Sequence, residues 1–102
     1  MYVVVQHTFL NPPEAFSRGE KLIKNEGAPD GTTVLPFYPA GNGSCATCLW
    51  ESNSVADVQW YVDDTLGDSS RNLCYEVDAA NAFARQPLVR ERPVDDDQQL
   101  VD

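Results

Sequence analysis

Two helix-start signals, each set directly behind strand-forming residues, constrain this chain more than anything else in it. The first is Asn11-Pro12-Pro13-Glu14. Asn can cap, proline is tolerated at the first helical position because its missing N–H would be unpaired there anyway, and Glu stands three residues after the cap. Behind it Ala15, Phe16, Gly19, Leu22 and Ile23 fall on one helical face, with Arg18, Lys21 and Lys24 outside it. The stretch from Asn25 to Gly31 supplies the stop. The second signal is Ser54-Val55-Ala56-Asp57, followed by Val55, Val58, Val62 and Leu66 at helical spacing and by Gly67 as terminator.

The segments around these helices read as strands. Residues 2–9 are β-branched and aromatic-rich and read as a strand, and residues 45–51 and 71–77 are read as two more. Residues 32–39 make a fourth strand, but Pro36 and Pro39 cannot donate to a ladder, so it belongs at a sheet edge. Gly41-Asn42-Gly43-Ser44 is a hairpin connection. The order is therefore β-α-β-β-α-β. It predicts a ferredoxin-like α+β fold with an antiparallel sheet in the order 4-1-3-2 and two helices on one face. A chain of 102 residues suits one domain, placed at residues 1–84. Residues 79–84 predict a short helical turn. Residues 85–102 form an acidic C-terminal tail; its composition suits a flexible tail, and its apolar Leu88, Val89, Val94, Leu100 and Val101 suit one ordered on a partner subunit.

The formal net charge is −9, with most of the excess acid in the second half. Phosphate binding needs a basic stripe, and none is present, so nucleic acid and anionic membranes are not expected partners. No apolar run approaches the ~18 residues a membrane span needs. The segment Met1 to His7 lacks both a basic region and a long apolar region and reads as a strand, not a signal peptide. Three cysteines without a secretion signal predict reduced thiols and a cytoplasmic protein.

In strand one, Val3, Val5, His7 and Phe9 point one way and Tyr2, Val4, Gln6 and Thr8 the other. In strand four Leu73, Tyr75 and Val77 oppose Asn72, Cys74 and Glu76. Neither face of strand one reads as fully solvated, so the face without helices calls for a second copy. The element order, the hairpin PAGNGSCATCLWES and the segment VDDTLGDSSRNLCYEVD resemble the dimeric α+β barrel superfamily over residues 1–84. Within that group the chain is similar to small uncharacterised bacterial proteins, some akin to nickel-binding ferredoxin-like proteins. The resemblance implies two units packed sheet to sheet around a small cavity, in a homodimer or tetramer, with nickel or another transition metal as the implied cofactor. The fold hosts oxygenases, isomerases and metal binders alike, so it does not fix an activity.

His7 is the only histidine and is the candidate acid/base and the candidate metal ligand. The competing reading is a hydrogen-bonded core residue on the Val3/Val5/Phe9 side. Tyr2, Gln6 and Thr8 are the candidate ligand- or cofactor-binding residues if the opposite face lines the cavity. One histidine is too few for a tight metal site in a single chain, so a symmetry mate or a thiol such as Cys45 or Cys48 would have to complete it. Cys45-Ala46-Thr47-Cys48 matches C-x-x-C, but on a strand residues three apart face opposite ways. Cys45, Cys48 and Cys74 are expected to be small apolar fillers, with Cys45 and Cys74 sharing a face. Trp60 lies off the apolar stripe of the second helix and points to an interface. Asp63 and Asp64 end that helix, where carboxylates oppose the dipole. Tyr75 is expected to be packed.

Two functions follow as expectations. One is a small cytoplasmic homo-oligomeric module binding a small hydrophobic ligand or a metal. The other is a cofactor-independent barrel enzyme, of monooxygenase or isomerase type, using His7.

Overall fold

A computed structural model describes residues 1–85. The elements run β1 (Tyr2–Phe9), α1 (Pro12–Ile23), β2 (Thr33–Pro39), β3 (Cys45–Glu51), α2 (Val55–Leu66), a single 3₁₀ turn (Gly67–Ser69) and β4 (Ser70–Glu76). The sheet order is β2-β3-β1-β4, with every neighbouring pair antiparallel. This is the ferredoxin-like α+β arrangement, and β4 begins and ends one residue earlier than the expected 71–77, with Phe9 pairing with Ser70 and Val3 with Glu76. The acidic tail lies, beyond Arg85, outside the described residues. The expected helical turn near 79–84 is a turn at residues 79–81, where Asp78 O accepts from Asn81 N and Ala82 N.

Both helices start where their caps stand. Asn11 Oδ1 accepts from Glu14 N at 3.4 Å, and Ser54 Oγ from Asp57 N at 3.0 Å. β2 is an edge strand, and its pairing with β3 slips between Val34 and Phe37, around Pro36.

α1 and α2 cover one face of the sheet. Val3 and Val5 from β1, Cys48 and Trp50 from β3, Leu22 from α1, and Val58, Tyr61, Val62 and Leu66 from α2 form the core. Tyr61 stands edge-on to Trp50 at 5.7 Å between ring centroids. Its hydroxyl donates to Glu26 O at 2.5 Å, which anchors the loop after α1.

Arg18 ties the helices together. Its guanidinium donates to Leu66 O at 2.9 Å, to Asp68 at 3.2 Å and to Glu14 at 3.0 Å. It sits over Gly67, whose φ of 54° ends α2 and where a Cβ would lie 2.8 Å from Nη1.

The other sheet face has no helix. Tyr2, Gln6 and Thr8 of β1, Cys45 and Thr47 of β3, and Arg71, Leu73 and Tyr75 of β4 are exposed there, with Val4 and Leu49 half-buried between them. Tyr75 is therefore not packed within the chain: it is 46% exposed, because it alternates outward beside Cys74. No helix among the described residues is long and apolar enough to cross a membrane.

Candidate functional site

Among the described residues the most extended buried hydrogen-bond network is built on His7, with Thr32 and Ser52 forming a separate buried pair. The imidazole points beneath the helices and is 3% exposed. β4 brings Asn72 directly opposite His7, and β3 brings Cys48 one diagonal step away, beside Val5. His7 Nδ1 lies 2.7 Å from Asn72 Oδ1, and Nε2 lies 3.1 Å from Cys48 Sγ.

The proton positions follow from the partners. Asn72 Nδ2 donates to Asp63 Oδ1 at 2.9 Å, so Asn72 Oδ1 must accept. It accepts from Ser70 Oγ at 2.6 Å and from His7 Nδ1. The neutral imidazole therefore carries its proton on Nδ1 and accepts the Cys48 S–H at Nε2. Trp50 Nε1 donates to the same sulfur at 3.0 Å. All donors run one way, from the Trp50 indole through Cys48, His7 and Asn72 to the carboxylate of Asp63. Gln59 Nε2 holds the other Asp63 oxygen at 3.0 Å and also donates to Asn72 O. Every buried side-chain nitrogen and oxygen among the described residues has a partner.

Electrostatics keep the imidazole and the thiol of this line neutral. Burial lowers the His7 pKa below the ordinary histidine value, against the opposing effects of Asn72 and the Asp63 charge. Burial pushes the Cys48 thiol up to about 12, although the Trp50 N–H pulls the other way. Neither an imidazolium nor a thiolate is favoured beneath the helices. The triad-like order of thiol, imidazole and amide thus resembles a nucleophile, a base and its orienter. Yet Cys48 is 2% exposed, so no substrate reaches the sulfur in this conformation.

Strand alternation separates the remaining candidates from His7. Tyr2, Gln6 and Thr8 stand on the open face, and His7 stands on the helix face. A single cavity cannot be lined by both sets within one chain. His7 and Cys48 could offer a metal two donors, one nitrogen and one sulfur. Among the described residues no group of three or more His, Cys, Asp or Glu is placed to hold a metal ion.

Two of the three cysteines pack as the expected apolar fillers: Cys48 lies in the core, where it is also hydrogen-bonded, and half-buried Cys74 packs against it, whereas Cys45 is exposed on the open face. Cys45 and Cys74 do not share a face; Cys48 and Cys74 do, on either side of Val5. At two strand spacings they stand about 10 Å apart, too far for a disulfide. Sequence reasoning named Cys48 only as one of two thiols that could join His7 on a metal, not as its hydrogen-bond partner, and missed Asn72 altogether. Alternation places all three on the helix face, but only the strand register makes them neighbours.

No protein-family model, no curated protein and no solved structure matches this chain.

Proposed function

We propose that the protein is a homo-oligomeric binding module of the dimeric α+β barrel type, in which the open sheet faces of two copies enclose a small apolar ligand. The observation that supports this is the composition of the open face. Tyr2 is 43% exposed, Leu73 61% and Tyr75 46%, and Val4 and Leu49 lie between them on adjacent strands. Contiguous apolar surface of this kind is uncommon on a monomer and marks an interface or a ligand site. A two-fold dimer would cover it with the same patch from the second copy.

On this reading Tyr2, Gln6 and Thr8 supply polar contacts to the ligand. Gln6 is the central one, flanked by Thr47 on β3 and Leu73 on β4. His7 lies on the far side of the sheet from such a cavity, so its role is to hold β1, β3 and β4 in register. The three free thiols suit a reducing compartment, and we place the protein in the cytoplasm on that ground.

The histidine-based enzyme is the second reading. Its support is the 2.7 Å contact by which Asn72 fixes the imidazole tautomer, as a general base requires. It needs α2 to move away from the sheet before the imidazole can meet a substrate.

Size-exclusion chromatography with light scattering tests the first reading. A mass of two or four chains is expected, and a monomer at all accessible concentrations would overturn it. Native mass spectrometry with elemental analysis of the same sample reads out retained ligand or metal.

A further inference from the structure

The outer face of α2 has a feature that neither the core nor the open sheet uses. Ala56, Gln59, Trp60, Asp63 and Asp64 recur at three- and four-residue intervals and so form one stripe. They line a shallow groove of about 540 Å³. Trp60 is 57% exposed in it, with its indole turned away from the core stripe of Val58 and Val62.

The charge around the indole is one-sided. Asp63 and Asp64 stand in the last turn of α2, where the helix carries its own partial negative charge, and that turn has no basic residue. Arg18, the cation at this end of the helix, is engaged by Glu14, Asp68 and Leu66 O. Both Asp63 oxygens are held, by Asn72 and Gln59, which fixes that carboxylate in place. Asp64 has no hydrogen-bond or ion-pair partner among the described residues.

We propose that this groove docks a basic peptide segment of a partner protein, with an arginine side chain stacked on Trp60 and paired with Asp64. The ligand chemistry follows from the lining. An aromatic face attracts a cation, the Ala56 and Trp60 surface suits an aliphatic stem, and a carboxylate beside the ring accepts from a guanidinium. A lysine would satisfy the charge but not the planar stacking. Neutral apolar ligands would leave the Asp64 carboxylate without a counterpart, and phosphate-bearing ones would be repelled. The proposal is independent of the sheet-face reading, since α2 lies on the opposite side of the sheet.

The test is a calorimetric titration of the full chain with a short arginine-containing peptide, and with its citrulline analogue, at low and at high salt. Saturable binding of the arginine peptide is expected, weakened by salt and absent for citrulline. Trp60→Leu, which keeps apolar bulk but removes the aromatic face, is expected to weaken it about tenfold, and Asp64→Asn about threefold. Circular dichroism confirms that each variant folds, which is expected because both side chains are exposed. Amide shifts confined to α2 would place the peptide in the groove. Equal binding of the citrulline peptide, unchanged binding by Trp60→Leu, or no binding at low salt would each overturn the proposal. So would concentration-dependent self-association that Trp60→Leu abolishes, because the groove would then be occupied by a second copy.

Discussion

Cys48 sits where a small apolar residue would be the simplest choice, yet it completes the hydrogen bonding of two other buried groups. Removing its sulfur leaves the Trp50 N–H and the His7 Nε2 lone pair without partners and opens a small void. Cys48→Ala is therefore expected to destabilise the fold by about 2–3 kcal/mol, and Cys48→Ser by less because its hydroxyl can still donate to His7 and accept from Trp50. Urea denaturation of the two variants checks the order. The thiols should also differ in reactivity: Cys45 is exposed, whereas Cys48 is buried with its pKa pushed up to about 12. A thiol reagent should modify Cys45 in the native protein and reach Cys48 only on unfolding. His7 gives a pH dependence whose sign is fixed. Its folded pKa lies below the ordinary value of 6.5, so the unfolded chain takes up the proton first. Stability should fall as pH drops from 6.5 toward the lower folded value, and the slope in that window should be absent in His7→Gln. Denaturant midpoints measured across the window decide this. None of these roles is written in the residues alone, for a lone histidine and a scattered thiol have no local signal for each other.

Helix starts and the placement of the proline-bearing strand were legible because their causes are local. Asn11 caps Glu14 N three residues on, and Ser54 caps Asp57 N at the same spacing. Pro36 keeps β2 at the edge because it lacks an N–H. The end of α2 was legible as a glycine stop, but not the reason alanine cannot replace it. Gly67 combines a positive φ with the Arg18 guanidinium packed over its Cα. Gly67→Ala should cost about 1–2 kcal/mol from backbone strain, with displacement of Arg18 adding to it. Arg18→Ala, which loses two solvent-exposed ion pairs worth little and one part-buried bond to Leu66 O, should cost about 1 kcal/mol. Thermal denaturation of both variants tests whether the glycine or the arginine matters more.

At the scale of the whole molecule, the uncovered sheet face is where the proposed assembly would form. If two copies meet there, a charge placed in its apolar patch should separate them. Leu73→Asp is expected to shift the light-scattering mass toward a monomer without unfolding the domain, because Leu73 makes no part of the core. An unchanged oligomer would place the interface elsewhere. The sequence by itself determined the element order, the helix caps and the alternation of each strand, because these depend on groups a few residues apart. It also determined that a C-x-x-C on a strand could not act as one unit. Which faces are covered, and which side chains meet beneath the helices, was decided only by the tertiary structure. His7 meets Cys48 across 41 residues and Asn72 across 65. Such contacts depend on the register of three strands at once, and a shift of one residue in β3 or β4 would turn Cys48 or Asn72 to the opposite face of the sheet.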